Sequence, residues 1–437
     1  MYLPSQAQYC IRKLEQAGFA AYAVGGCVRD SLLGLIPQDY DLCTAAKPEA
    51  IAEIFGSHTL VRSGEKHGTI GVVLDHQVYE ITTFRTEGNY GDNRHPDWVE
   101  FVDDITIDLA RRDFTVNAMA YSPTRGLADP FGGQEDLRGK VLRAVGDPRT
   151  RFTEDALRIL RGARFAVRYG LAVEENTKNA MFQLAPLMEK LARERVFDEL
   201  CKLLLLVKAQ DLQTFAPILT QVIPELAPTL GFDQHNPHHA YDVFTHIAHV
   251  VEATPSDLAL RWAALLHDIG KPNCFTLDEA GKGHFLGHAG QSADMANSIL
   301  LRLKAPTALR NLVCLLIGQH MTKIEPEYSR VRRAMSRLGS ENLRQLLLLQ
   351  EADMGSKGVG IPAELAQFSV LRQLVNQIEA DEACLSIKDL AVNGHDLMAL
   401  GYEGPAIGQA LQFLLEQVLD EKVDNTKDAL MHALRNR

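Results

Sequence analysis

The residues with the most chemical content lie early, in A-V-G-G-C-V-R-D-S-L-L-G-L-I-P-Q-D-Y-D-L-C-T (23–44). Gly25 and Gly26 follow an apolar run and open a helix, where bare backbone amides approach a phosphate closely. Arg29 follows where it adds a forked donor for the same anion. Asp39 and Asp41 are two residues apart, and in an extended segment such residues point to one face, so the carboxylates converge. Like charges that close repel unless a divalent cation sits between them, and hard oxygen ligands suit Mg²⁺. Glu80 is a candidate third ligand. Alternation in V-Y-E-I-T-T-F places it on the face of Val78, Thr82 and Phe84, where a charge needs a function. The bland readings are a solvated turn for D-Y-D and an edge position for Glu80. The glycine pair, arginine and D-x-D at this spacing favour the functional one.

These residues need a scaffold, and the first 145 residues read as mixed α/β. A helix is expected over 5–17, a strand at 20–26 and a short helix closing at Leu33-Gly34. G-T-I-G-V-V-L (68–74) and Q-V-Y-E-I-T-T-F (77–84) read as a hairpin turning at Asp75-His76. Beyond about 150 strand signals stop. T-E-D-A-L-R-I-L-R-G-A-R-F-A-V-R (153–168) reads as one helix capped by Thr153, with Ala156, Leu160, Ala163 and Val167 as its apolar strip. Helical patterning continues to the end, interrupted at 234–239 and 355–362. The expected domains are therefore 1–145, 146–232, 233–355 and 356–437.

With 45 Lys/Arg and 56 Asp/Glu, the formal charge is −11. An acidic total does not exclude a polyanion partner, which needs only a local basic face. From Arg138 to Arg168 nine basic residues meet three acidic ones, which is either such a face or a solvated helix surface. Normal hydrophobic content excludes wholesale disorder. No run approaches the about 20 apolar residues of a membrane span, and no secretory signal is visible. Seven scattered cysteines without a C-x-x-C pair suit free thiols. A cytoplasmic protein is expected.

G-G-C-V-R-D-S-L-L-G followed by D-Y-D-L resembles the first motif of class II tRNA nucleotidyltransferases, the CCA-adding enzymes, and of the related bacterial poly(A) polymerases. R-R-D-F-T-V-N-A-M (111–119), D-P-F-G-G-Q-E-D-L (129–137), E-D-A-L-R-I-L-R-G-A-R-F (154–165) and E-R-V-F-D-E-L (194–200) resemble the family's later motifs in order. The resemblance implies an α+β fold: a small mixed-sheet nucleotidyltransferase head, then an all-α neck and body, an HD domain and a helical tail. It implies that Asp39 and Asp41 hold two Mg²⁺ ions, one activating the tRNA 3′-hydroxyl and one clamping the triphosphate. Gly26 and Arg29 would contact phosphates, and Arg112, Asp113 and Asn117 the ribose. Asp155 and Arg158, three apart on a helix, would read the base edge. Arg161 and Arg164 would continue that row towards phosphate or substrate. CTP, ATP and tRNA are the implied partners, for a monomer or homodimer. The polar loop T-E-G-N-Y-G-D-N-R-H-P-D-W (86–98) disfavours a CC-only enzyme and leaves full CCA addition and A-only addition open.

A second constellation resembles the HD phosphohydrolases, whose ligands follow the order His…His-Asp…Asp. Here these would be His246, His267, Asp268 and Asp353, with His288 and His320 able to complete a second metal site. Imidazole mixed with carboxylate suits Mn²⁺, Fe²⁺, Ni²⁺, Co²⁺ or Mg²⁺. His238, His239 and His249 read as ordinary core or surface groups. A 2′,3′-cyclic phosphate or a phosphate at a damaged tRNA end are the candidate substrates. Gly401, Gly404, Pro405 and Gly408 mark a tight turn opening a tail helix, either a tRNA-backbone contact or a plain αα-hairpin. A poly(A) polymerase is the rival with the same chemistry. A metal-dependent phosphohydrolase using the head only to bind RNA is the rival of another class.

Overall fold

Residues 1, 3–88, 98–358 and 362–436 are described in a computed structural model. The chain divides into Met1–Leu206 with Thr214–Pro224, and Val207–Gln213 with Glu225–Arg437.

The first unit opens with α1 (Ser5–Gln16), which buries Ala7, Cys10, Ile11 and Leu14 at helical spacing. β1 (Ala21–Val24) is buried throughout, as a central strand covered on both faces must be. After α2 (Gly26–Leu32) come β2 (Leu42–Thr44), α3 (Pro48–Ile54) and β3 (Thr59–Val61). β4 (Thr69–Leu74) and β5 (Gln77–Thr83) follow. The last two form the expected hairpin; Asp75 and His76 both take positive φ, 48° and 65°, the twist a two-residue turn needs. β6 (Arg85–Gly88) pairs with β7 (Trp98–Phe101). Residues 89–97, most of the polar loop, lie outside the described residues. α4 (Ile105–Ala110), β8 (Ala120–Ser122) and β9 (Gly126–Ala128) complete the head. The seven-stranded sheet has the order β3-β4-β5-β2-β1-β8-β9; only β2 and β5 pair in parallel.

α5 (Gly133–Arg138) and β10 (Val141–Leu142) lead to α6 (Pro148–Glu154), α7 (Leu157–Tyr169), β11 (Ala172–Val173), α8 (Glu175–Leu184) and α9 (Arg193–Leu204). Two expectations fail here. The helix over 153–168 is two helices: Asp147 caps the first, and Thr153 sits in its last turn, donating to the Arg149 carbonyl (2.8 Å). Strands also continue past 150, because β11 returns to pair in parallel with β10. Two-residue strands carry too little periodicity to read.

The division of the chain falls within α10 (Ala209–Val222). The second unit then runs through α11 (Val243–Ala253) and α12 (Leu258–Leu266), the short β12 (Thr276–Leu277) and β13 (Gly283–His284), and α13 (His288–Arg302). α14 (Thr307–Gln319), α15 (Tyr328–Leu338), α16 (Ser340–Gly355) and α17 (Pro362–Ala380) follow. α12 is buried from Ala259 to Leu266, as a helix apolar all round must be. α11, α13, α14 and α16 pack around it. The tail is α18 (Gly394–Met398), α19 (Pro405–Leu419) and α20 (Lys427–Arg435). α19 starts at the expected turn, with Gly404 as cap and Pro405 in its first turn. The tail closes an apolar core of its own around Leu397, Leu414 and Leu430. No helix among the described residues is long and apolar enough to cross a membrane.

Candidate active site and a buried histidine centre

β1 ends at Gly25, whose φ of +76° suits glycine; a Cβ there would lie 2.9 Å from Arg112 Nη1. The steric demand therefore falls on Gly25, while Gly26 begins α2. Arg112 Nε is buried without a hydrogen-bond partner beside this turn, as a donor awaiting an anion would be. Arg29 does not project into open space. It donates to Asn117 and to the Tyr169 hydroxyl (2.5 Å), lies over the Tyr169 ring and is 5% exposed. It ties α2 to Asn117 and to the end of α7.

Asp39 and Asp41 precede β2, and the Asp41 carbonyl accepts from the Val24 amide (2.9 Å). The parallel register pairs Leu42 with Ile81; continued back one residue, it sets Asp41 opposite Glu80. Glu80 thus lies on the open face. Tyr79, Ile81 and Thr83 are buried, whereas Val78 and Glu80 are exposed. Phe84 is buried only because β5 has ended, so the expected grouping of Glu80 with Phe84 was wrong. Asp41 keeps its surface open to solvent. Even so, partial burial, then the charge of Asp39 and finally that of Glu80 raise its carboxyl above the ordinary range, against the pull of Arg112. A cation would relieve that repulsion. Asp39, Asp41 and Glu80 do not, however, bring three ligand atoms within 4.8 Å of one another; among the described residues only the histidine cluster does.

Behind this face, Asp113 receives two donors from Arg161 (2.9 and 2.7 Å) and one from Asn117 (2.9 Å). Burial would raise its carboxyl, but Arg161 and Asn117 hold it down at about 2. Asp155 and Arg158 do not share one helix. Asp155 sits in the break between α6 and α7; it accepts from the Leu157 amide (3.0 Å) and from Arg195 (2.9 Å). Arg158 holds Glu154 (2.7 Å) and the carbonyls of Arg151 and Arg111. Arg164 is paired with Glu199 (2.6 Å). The stretch Arg138–Arg168 is thus largely neutralised by partners; Arg143 and Arg151 also face carboxylates. Arg195 and Tyr169 had not been singled out in the sequence; nothing local marks them, since their partners lie 40 and 140 residues away.

The second unit gathers His246 from α11, His267 at the end of α12 with Asp268 after it, His288 opening α13, His320 closing α14 and Asp353 from α16. All six are buried. His246 Nε2 is 3.0 Å from Asp353 Oδ1 and 3.4 Å from Asp268 Oδ2; His267 Nε2 is 3.2 Å from that same oxygen. Each imidazole faces a backbone carbonyl with Nδ1: Ser356, Ala264, Phe285 and Ile317, at 2.6–3.2 Å. Those contacts leave all four Nε2 atoms pointing inward, the arrangement metal-ligating histidines use. His239, read as ordinary, lies 5.6 Å from His246 between ring centroids; burial and Lys271 push it down to about 3. His249 stacks on Tyr241, away from the ligands.

Residues 21–143 match the Poly A polymerase head domain family, and 170–230 match the probable RNA and SrmB-binding site of polymerase A. Residues 284–434 match the putative domain 2 of tRNA nucleotidyltransferases. The chain is 32% identical over 431 residues to a CCA-adding enzyme of Lactobacillus delbrueckii subsp. bulgaricus, covering 98% of this chain and 97% of that one. It is 33% identical over 435 residues to one of Latilactobacillus sakei, covering 99% and 98%. The crystal structure of the Bacillus stearothermophilus CCA-adding enzyme in complex with CTP superposes with a TM-score of 0.71 at 28% identity, over 100% and 99% of the two chains. With end-to-end identity of this order, the chain belongs to the CCA-adding tRNA nucleotidyltransferases.

Proposed function

We propose that this protein adds C and A from CTP and ATP to the 3′ end of tRNA, completing the CCA terminus without a nucleic-acid template and releasing pyrophosphate. The observation that carries this is the open Asp41 carboxylate, which feels the charges of Asp39, Glu80 and Arg112, with Arg112 itself set against the Gly25 turn. The family's nucleotidyl transfer depends on divalent metal, and the carboxylate oxygens fit Mg²⁺. When bound there, the ion activates the 3′-hydroxyl and neutralises triphosphate charge. The Gly26 amide and Arg112 take the phosphates, and Arg29 braces them through Asn117. Asp113 and Asn117 order the ribose site under the grip of Arg161. Asp155 and Arg158 read the base, held in place by Arg195 and Arg111; Arg164 locks α7 to α9 through Glu199. In this reading residues 1–145 are the catalytic head, 146–232 the neck and body, 233–355 an HD domain and 356–437 a tRNA-binding tail.

Purified protein offered tRNAs ending before the first C, after one C and after both, with CTP and ATP supplied separately, tests the reading. We expect C on the first two and A only on the third. Addition of A alone would overturn full CCA addition in favour of an A-adding enzyme, and a long A tail would favour a poly(A) polymerase.

A second reading rests on the buried cluster: His246, His267, Asp268 and Asp353 hold a divalent transition metal and support phosphoester hydrolysis. Four converging Nε2 atoms, each ring held by its Nδ1 on a backbone carbonyl, favour it. Metal analysis of the purified protein checks it; a metal-free protein under saturating Mn²⁺ would overturn it.

A further inference from the structure

Within the first unit, three stretches to which the proposed function gives the phosphates, the ribose and the base are joined by one ring of side-chain contacts. α2 starts at the Gly25 turn, the short turn Thr115–Asn117 carries Asn117, and α7 starts just after Asp155 and ends at Tyr169. Arg29 of α2 donates through Nη1 to the Asn117 side-chain oxygen and through Nη2 to the Tyr169 hydroxyl (2.5 Å). That hydroxyl donates in turn to Asp30 Oδ1 (3.0 Å), which also accepts from Arg29 Nε (2.8 Å). The Asn117 amide nitrogen donates to Asp113 Oδ1 (2.9 Å), and Arg161 of α7 donates to the other Asp113 oxygen. Along α7 the Arg161 guanidinium lies 5.2 Å from the Phe165 ring centre, and Phe165 stacks on Tyr169 at 6.1 Å with 28° between the rings. Arg29 closes the ring of contacts by lying over both, 5.3 Å from Phe165 and 4.3 Å from Tyr169. Each polar link has one sense, because a guanidinium only donates. Asn117 must therefore turn its oxygen to Arg29, and the Tyr169 hydroxyl must accept from Arg29 and pass its own proton to Asp30.

We propose that Tyr169 is a positioning residue for nucleotidyl transfer: acting through Arg29 and Asp30, it clamps the far end of α7 to α2 and so keeps the base end of the nucleotide site in register with the phosphate end. The proposal rests on the transfer function proposed above and adds to it a residue that lies beyond the motif at 154–165. In that reading the base is held at the start of α7 and the phosphates at the start of α2, on two separate helices. The α-phosphorus meets the attacking hydroxyl only if those two ends keep their spacing, and a misplacement of about 1 Å can cost about 10²-fold in rate. The bond between Arg161 and Asp113 ties α7 to the ribose turn at one point, about which the helix could still pivot. Tyr169 lies eight residues further on, about 12 Å along the axis at the helical rise, and a second tie at that distance removes the pivot. A tyrosine suits the place because one side chain stacks under a cation, accepts from it and donates to a carboxylate. Arg29 is 5% exposed, so a donor left over when the hydroxyl is lost has no water to turn to, and the guanidinium must shift. Tyr169 acts on the pose of the nucleotide and not on a base edge, so CTP and ATP are affected alike.

The test measures single-turnover transfer from CTP and from ATP to tRNA by the full-length protein in Mg²⁺, with half-saturation by each nucleotide and a thermal melting curve alongside. Tyr169→Phe keeps the ring under Arg29 and removes the hydroxyl alone. Its transfer rate should fall about tenfold with both nucleotides, while half-saturation stays within about twofold of wild type and the ratio of CTP to ATP rates is unchanged. That split marks an interaction realised in the transition state and not in binding. Asp30→Ala removes the acceptor behind the hydroxyl and should lose rate in the same way. The double variant should be little slower than either single one, as members of one network behave. A wild-type rate in folded Tyr169→Phe, whatever its melting point, would reduce Tyr169 to a structural staple and overturn the proposal. So would a loss confined to half-saturation, full additivity with Asp30→Ala, or a changed ratio of CTP to ATP rates, which would make Tyr169 a base reader. A wild type that transfers neither nucleotide would overturn the transfer function itself, an outcome separate from any result with the variants. If one single variant does not fold, the rate, half-saturation and ratio of the other decide the matter.

Discussion

At the scale of single residues, the proposed transfer chemistry rests on the carboxylates of the head. In that reading, replacing Asp39 or Asp41 with Ala removes an oxygen ligand from the ion that neutralises the reacting phosphates. We expect incorporation of both CTP and ATP to fall by about 10²–10³-fold or more. Binding of tRNA, which comes from phosphate contacts elsewhere, should persist in a filter-binding assay; loss of binding in step with activity would contradict the assignment. Asp113 makes a separate prediction about stability. Its carboxyl lies at about 2 in the folded chain and near 3.9 in an unfolded one. A lowered carboxyl stabilises the fold above the unfolded value and loses that contribution as pH falls through the folded one. The group is buried, so about 2 kcal/mol is at stake. Urea midpoints of wild type and Asp113→Asn should therefore differ most above pH 4 and converge towards pH 2.

At the scale of elements, the break between α6 and α7 is the feature that periodicity missed. Apolar spacing runs through Ala156, Leu160 and Ala163 without interruption, so the pattern predicts one helix. Tertiary contacts end the first helix at Glu154 and make Asp155 the cap of the next, with Arg195 holding its other oxygen. Asp155 thus has two separable duties. Asp155→Asn keeps a good capping side chain and should melt close to wild type, whereas Asp155→Ala should lose about 1 kcal/mol. Both should shift CTP against ATP preference, each lost base contact costing about 1–3 kcal/mol of discrimination. Unchanged nucleotide ratios in both variants would remove Asp155 from base reading. The Gly25 turn is equally local: Gly25→Ala forces a positive φ on a residue with a Cβ and presses it against Arg112. A stability loss of about 1–2 kcal/mol and a larger loss of transfer rate are expected, by thermal unfolding and by CTP incorporation.

At the scale of the whole molecule, two centres of different ligand chemistry occupy different compact units. Asp41 belongs to the first, and His267 and Asp268 to the second. In the proposed reading hard oxygens serve transfer, and imidazole with carboxylate serves a softer metal. His267→Ala with Asp268→Ala should leave CTP and ATP incorporation in Mg²⁺ within about twofold of wild type, the additive behaviour of sites that share no partners. The same double variant should bind no transition metal. A properly folded double variant that had lost nucleotide addition would show that the two centres are coupled.

What a sequence determines by itself is whatever a short window must satisfy. Gly25, the hairpin at Asp75-His76 and the Gly404-Pro405 helix start were legible because local backbone geometry demands those residue types. The order of motifs made the family and the α+β architecture legible as well. The structure alone decided what depends on distant partners. It buried Phe84, which alternation had grouped with Glu80, because β5 ends at Thr83. It drew Arg29 into the Asn117 and Tyr169 network, and it neutralised most of a basic stretch that looked free. It also brought His239 beside His246 and gave each oxygen of Asp268 its own pair of histidines. No spacing along the chain encodes that last arrangement, since five helices converge to make it and their packing is set by the buried apolar faces around α12.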